Sequence, residues 1–263
     1  MEITSVHNPR VKQWAQLLDR KGRMAQGKFL IEGTHLVLEA LKSQEELECV
    51  VFSLDKGIPG ELTEYAGQRT EWLGASDAVI AKCTDAKTPQ PVFAVVRKPA
   101  ADDAAWLQDP QALVVVVDGV QDPGNLGTII RSADAVGASG VVLGKGTVDL
   151  FNPKTVRSTM GSLFHLPIVE ADLTELLPKA EDAGAKVIGT SLQADKNCYE
   201  HNFTTASWIV LGNESAGVSP ETEAFVTDRL IIPMRGQSES LNVAMAATVL
   251  LYEALRQREY YQR

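Results

Sequence analysis

Five stretches of the 263-residue chain hold β-branched and other apolar residues almost back to back: "ALVVVVDGV" (112–120), "GVVLG" (140–144), "AKVIGTSL" (185–192), "WIVLGNE" (208–214) and "RLIIPM" (229–234). A strand exposed on one side alternates apolar with polar residues; these do not. Strands buried on both faces belong to mainly parallel sheets, with helices packed above and below. Helical stretches separate most of these runs. The pattern predicts an α/β domain built on a mainly parallel sheet over residues 111–263.

Ahead of it, "RKPAADDAAWLQDPQ" (97–111) replaces apolar periodicity with proline, alanine and acids. This reads as a linker at 99–110. The preceding residues, 1–98, alternate again. "RVKQWAQLL" has helical spacing, "KFLIEG" reads as a strand, "THLVLEALKS" as a helix, "ECVVFSL" as a strand, "SDAVIAKCT" as a helix and "PVFAVVR" as a strand. The first domain is therefore a smaller α/β unit. At the other end, "SLNVAMAATVLLYEALRQREYY" reads as a helix from Leu241 to about Tyr260 with Ser240 as its N-cap. Its apolar stripe runs through Ala244, Met245, Thr248, Tyr252 and Leu255.

At 44% hydrophobic and 22% charged residues, the composition is that of an ordinary water-soluble protein. There is no apolar run of membrane-spanning length, and "MEITSVHNPRVKQ" lacks the layout of a signal peptide, so a cytoplasmic location is expected. Cys49, Cys83 and Cys198 are far apart and read as reduced, buried thiols. Neither they nor the four scattered histidines have ligand spacing, and no metal is expected. A net charge of −9 argues against a polyanionic partner. Its distribution is uneven, however. Residues 1–30 hold six basic side chains (Arg10, Lys12, Arg20, Lys21, Arg23, Lys28) against Glu2 and Asp19, and Lys145, Lys154 and Arg157 form a second group near one acid, Asp149. Either cluster could serve RNA or simply be solvated surface.

Three loops at strand C-termini (119–131, 212–220 and 233–243) can share one site, because open parallel sheets bind ligands at that edge. "QDPGNLGTIIRSAD" (121–134) sits where a dinucleotide-binding loop would, but its glycines (Gly119, Gly124, Gly127) do not make G-x-G-x-x-G, which counts against a dehydrogenase. "GNESAG" (212–217) has one residue too many before Ser215 for a hydrolase elbow.

Together, "NLGTIIRSADAVG", "IVLGNESAGVS" and "IIPMRGQSESLNVAMAATVLLYEAL" resemble the three signature motifs of the SpoU/TrmH family of RNA ribose 2′-O-methyltransferases, in the SPOUT superfamily. "GKFLIEGTHLVLEAL" is similar to the ribosomal-protein-like α/β domain that many members carry for substrate binding. The resemblance implies an N-terminal RNA-binding domain and a SPOUT domain whose C-terminal segment is tucked into a trefoil knot, an exception to the usual avoidance of threaded chains. It implies S-adenosylmethionine as methyl donor, a homodimer, and RNA as partner. Large-subunit (23S) ribosomal RNA is the first expectation, with transfer RNA, or a non-catalytic RNA-binding protein of the same fold, as alternatives. Residue by residue, it assigns catalysis to Arg131, Asn125, Glu214 and Ser240, the last two at polar positions near the target ribose. Arg131 is expected to act through its charge, with Glu214 or the substrate phosphate taking the 2′-hydroxyl proton. Donor binding falls to Gly212, Ile232 and Leu241, with Thr190, Met234 and Asn242 beside them. Asn125 is expected to start its helix and tie down the loop.

Overall fold

The computed structural model describes residues 2–67, 70–99, 106, 109–238 and 240–260. The chain forms two compact units: Met1–Ala100 with Asp149–His165, and Ala101–Val148 with Leu166–Arg263. This differs from the division read in the sequence, because Asp149–His165 counts with the first unit. Most of the expected linker at 99–110 lies outside the described residues.

The first unit is built on strands β1 (Glu2–Ile3), β2 (Lys28–Glu32), β3 (Leu47–Ser53), β4 (Glu71–Ala75) and β5 (Val92–Arg97), in the order β1-β4-β3-β5-β2. The β1–β4 and β4–β3 pairs are parallel, and β5 is antiparallel to both its neighbours. Helix α1 (Pro9–Gln16) starts where Asn8 accepts from the Arg10 N–H at 2.9 Å and Pro9 supplies a preset φ. Its Val11 and Trp14 pack on Cys49, Val51, Phe93 and Val95, with the Trp14 ring edge-on to Phe93 at 5.7 Å. Helix α2 (Arg20–Gln26) carries Arg23, whose buried guanidinium donates to the Leu17 and Leu18 carbonyls at 2.8 Å and to Asp149 at 2.6 Å. Helices α3 (Thr34–Lys42) and α4 (Asp77–Lys82) complete the residues before the linker. The later segment adds Phe151, 4.5 Å from the Phe29 ring, and helix α6 (Pro153–Thr159), whose Arg157 pairs with Glu32 and Asp85.

Long-range ion pairs absorb much of the basic excess expected in residues 1–30. Arg10 makes a two-pronged pair with Glu71, Lys28 pairs with Glu48, and Arg23 is buried. That leaves Lys12, Arg20 and Lys21 exposed without an acidic partner among the described residues.

In the second unit, β6 (Leu113–Val117), β7 (Gly140–Leu143), β8 (Ile168–Glu170), β9 (Lys186–Thr190), β10 (Lys196–Asn197), β11 (Ser207–Leu211) and β12 (Asp228–Ile231) form one sheet. Its order is β10-β12-β9-β11-β6-β7-β8, with every pairing parallel. All residues of β6, β7 and β11 are buried, as the unbroken apolar runs require. Val114, Val116, Val142, Val187, Trp208 and Val210 pack on Leu173 and Leu177 of helix α7 (Leu173–Asp182). The alternate residues point to the other side, where α5 (Pro123–Ala135) meets β7 and α9 (Val243–Leu255) meets both α5 and β11.

The C-terminal helix differs from the reading in two ways. Asn242, not Ser240, caps it, accepting from the Ala244 N–H at 3.0 Å and the Met245 N–H at 3.4 Å. The face that packs inward is Ala244, Ala247, Leu250, Leu251 and Ala254, while Met245 and Tyr252 of the expected stripe are 49% and 50% exposed. The helix proper ends at Leu255 and passes into a wider turn over Arg256–Tyr260. That turn is pinned to 201–205: Gln257 donates to the His201 carbonyl and accepts from the Phe203 N–H, both at 2.9 Å, and Arg258 reaches the Phe203 and Thr205 carbonyls at 2.8 Å.

His201 is buried here, and neither ring nitrogen has a hydrogen-bond partner among the described residues. Burial pushes its pKa below the ordinary 6.5; Asp228, 3.7 Å away, pulls it back, and Lys196 and Lys186 add to the depression. Below about pH 6.5 the unfolded chain therefore takes up a proton that the folded chain refuses, and stability is lost as pH falls. Urea midpoints should decline from about pH 7 to about pH 5, and His201→Phe should flatten the decline. Parallel pH profiles for the two proteins would contradict this.

Candidate active site

The order of the second sheet reverses direction between β6 and β11. The chain leaves β6 toward β7 on one side and leaves β11 toward β12 on the other, so the loops beyond these two strands diverge and open a crevice. Glu214 sits at that crevice. Its Oε1 accepts from the Asp122 N–H at 3.1 Å and the Asn125 side-chain amide at 2.9 Å, and its Oε2 accepts from the Gln121 N–H at 3.1 Å. Partial burial pushes the Glu214 carboxyl up, but these hydrogen bonds outweigh it and hold the pKa below the usual carboxylate range. The group is an ionised acceptor with both oxygens engaged.

Asn125 does not start its helix. Asp122 does, accepting from the Asn125 N–H at 2.9 Å, with Pro123 in the first turn. Lying inside the helix, Asn125 joins all three loops: its amide nitrogen donates to Glu214, and its oxygen accepts from the Asn242 amide at 3.0 Å. Because Asn242 also caps α9, the α5 and α9 helix starts and the Glu214 loop form one hydrogen-bonded junction.

Sequence reasoning missed two residues that shape the loop around Glu214. Asn213 donates to the Gly119 carbonyl at 2.8 Å and accepts from the Ser215 and Ala216 N–H groups at 2.9 and 3.0 Å. Asp118, buried at the end of β6, accepts from the Ser219 N–H at 2.7 Å. Both carry a legible signal, a polar side chain within two residues of the end of a buried strand. Ser215 takes part through its backbone N–H, which donates to Asn213. Gly212 permits a close approach, but to the protein's own turn: a Cβ there would lie 2.2 Å from the Gly217 carbonyl carbon and the Val218 nitrogen.

Two adjoining recesses open beside this junction, of about 160 and 380 Å³, and share Thr190, Ser240, Leu241 and Ala246. Ile232 and Met234 wall the smaller one together with Leu192, while Gly212, Asn213, Glu214 and Asn242 line the larger. The structure thus brings together the six expected donor-site residues with Glu214 and Ser240. The larger volume alone falls within the roughly 300–1,000 Å³ of small-molecule sites. Apolar walls, backbone groups near Gly212 and a negative carboxylate at one end suit a ligand that combines a flat apolar ring with a positive charge. Arg131 stands apart: it lines neither recess, is exposed, and has no partner among the described residues. No group of three His, Cys, Asp or Glu side chains suited to a metal occurs among the described residues, and no helix among them is long and apolar enough to cross a membrane.

A model of the SpoU rRNA Methylase family matches residues 112–252, and one of an MRM3-like substrate binding domain matches residues 8–94. The chain is 40% identical over 251 residues to the 23S rRNA (guanosine(2553)-2′-O)-methyltransferase RlmP of Bacillus subtilis, spanning 95% of this chain and 98% of the relative. It is 35% identical to a 23S rRNA (uridine(2479)-2′-O)-methyltransferase of Streptomyces viridochromogenes, over 97% of this chain and 92% of the other. Among solved structures, the SpoU methyltransferase AviRb from that organism in complex with AdoMet matches with a TM-score of 0.86 at 32% identity, covering 97% and 99% of the two chains.

The close contact at Gly212 yields a direct test. Gly212→Ala forces Gly217 and Val218 aside, at an expected cost of about 1–3 kcal/mol, and shifts the Glu214 loop with them. Chemical denaturation measures the loss; an unchanged midpoint would mean that the turn yields freely.

Proposed function

Because the chain belongs to the SpoU rRNA Methylase family, we propose that it is an S-adenosylmethionine-dependent methyltransferase of RNA ribose 2′-hydroxyls, acting on large-subunit ribosomal RNA. The observation that carries this reading is the junction of Asn125, Glu214 and Asn242 beside two adjoining recesses whose walls together include Thr190, Gly212, Ile232, Met234 and Leu241. One relative is named for a guanosine and another for a uridine, so the shared fold is suited to the ribose and not to one base.

When bound, S-adenosylmethionine supplies a methyl group on a positively charged sulfur, transferred in line to an oxygen nucleophile. The residues of the chain hold and align. Ile232, Met234 and Leu241 wall the apolar part of the donor, and the ionised Glu214 favours positive charge nearby. With both oxygens already accepting hydrogen bonds and its basicity lowered, Glu214 organises the loops and is a poor proton acceptor. Ser240, on the rim of both recesses, offers a hydroxyl to the incoming ribose. Arg131 is free to grip a substrate phosphate and to stabilise the oxyanion that develops as the 2′-hydroxyl proton passes to an oxygen of the substrate's own adjacent phosphate. A guanidinium does not give up its own proton, so Arg131 acts through charge.

The first unit serves as the RNA-binding domain and the second as the methyltransferase domain, with a linker at 99–110 at the first of the three crossings between them. The proposal includes a cytoplasmic homodimer and a trefoil knot in the second unit. The knot follows from the family resemblance. The solvent-facing Met245 and Tyr252, with Arg131 outside the recess wall, support a second copy that covers α9 and completes the site.

Purified protein given labelled donor and deproteinised large-subunit RNA should place label in alkali-resistant dinucleotides; label in base fragments alone would refute ribose methylation. Arg131→Ala should lower turnover by about 10²–10³ while donor affinity stays unchanged, and Arg131→Lys should restore part of it without climbing to the wild-type rate as pH rises. Light scattering at micromolar concentration should give twice the 28.5 kDa of one chain; a monomer would exclude the shared site.

A further inference from the structure

The described arginines of the second unit divide sharply. Arg229 pairs with Glu223 and Arg256 with Glu253, and Arg258 is held by the carbonyls of Gln111, Phe203 and Thr205. Only Arg131 and Arg235 have no hydrogen bond, ion pair or ring contact among the described residues. In a chain with 34 acidic and 25 basic residues, a guanidinium finds a carboxylate easily, so two unpaired ones need a reason. One lies on a helix of the Asn125 junction and the other in a loop that walls the recesses. Arg131 is on α5, which carries Asn125, and Arg235 follows Met234 in the loop from Ile232 to Asn242, which supplies Met234, Ser240 and Leu241 to the walls.

We propose that Arg235 is a second phosphate-binding residue for the RNA substrate, gripping the backbone of a nucleotide next to the one methylated. This rests on the reading of the protein as an RNA ribose methyltransferase. A planar guanidinium with no internal partner is suited to two-pronged contact with a phosphodiester. Arg235 is exposed and lines neither recess. It therefore faces a chain passing over the mouth of the site, whereas a residue that bound the donor would belong to the walls. With Arg131 as one phosphate grip, a second at Arg235 would hold the backbone at two points and help align the ribose, which is what in-line transfer demands.

The experiment compares wild type with Arg235→Ala and Arg235→Lys, using Arg229→Ala as a surface control. Three quantities are measured: KM for deproteinised large-subunit RNA, the salt dependence of RNA binding by fluorescence anisotropy, and S-adenosylmethionine affinity by calorimetry. Arg235→Ala should raise KM for RNA roughly tenfold and flatten the slope of log affinity against log salt by about 0.7 to 1, the value of one phosphate contact, leaving donor affinity unchanged. Arg235→Lys should recover the slope and part of the KM. An alanine variant with wild-type KM and slope would overturn the proposal. So would weakened donor binding with unaltered RNA binding, which would assign Arg235 to the donor's carboxylate. A wild-type protein that places no label on ribose would instead defeat the reading of function, while the salt slope would still judge Arg235.

Discussion

Strands β6 and β11 run side by side in parallel for five residues, from Leu113 opposite Ser207 to Val117 opposite Leu211. Every side chain in this pair is buried, so no shift of register can bring a polar residue to either face without exposing apolar surface elsewhere. The register places Asp118 and Gly212 at the same level, one residue beyond each strand. Everything at the crevice follows from that alignment. Asp118 reaches the Ser219 N–H, Asn213 reaches the Gly119 carbonyl, and Glu214 receives the start of α5. The loops are held less by their own conformational preferences than by side chains reaching between two adjacent strand ends.

The junction at Asn125 gives this frame a third member. A side-chain amide presents a donor at one end and an acceptor at the other, and both ends are used, toward Glu214 and toward Asn242. An aspartate would set a second negative charge against Glu214, and a leucine would leave the Glu214 and Asn242 groups facing it unpaired. The residue that ties the loops together is therefore chemically narrow. Glu214 is narrow for the opposite reason: three donors converge on it, and its ionised form is the one they stabilise.

Much of this was legible in the chain. The buried strands of the second unit announce themselves because β-branched residues without alternation have few other uses. The site residues were reached through the family's motifs; Ile232 and Leu241 alone would pass as ordinary core. Three things were hidden, each for a physical reason. Helix α9 is apolar on nearly every side, so periodicity cannot choose which face is covered, and the inward face is Ala244, Ala247, Leu250, Leu251 and Ala254. The basic excess in residues 1–30 was offset by Glu48, Glu71 and Asp149, partners too distant in sequence to be seen. Asn125 reads as a helix start because asparagine often is one, although the Asp-Pro pair at 122–123 is the stronger signal.

The short strands β1, β8 and β10, of two or three residues, lie below what any period can reveal.

The excursion of Asp149–His165 into the first unit has a consequence for how such a protein can be divided or inherited. The polypeptide passes between the units three times, near residues 100, 148 and 165. A protease that nicks the stretch around 99–110 still leaves them joined through two uncut crossings. Nor can either unit be exchanged for that of another protein as one uninterrupted block. A recombination event must carry the inserted segment with its own unit, or Arg23 loses Asp149 and Phe29 loses Phe151. The two halves are thus bound to a shared history by the path of the chain itself.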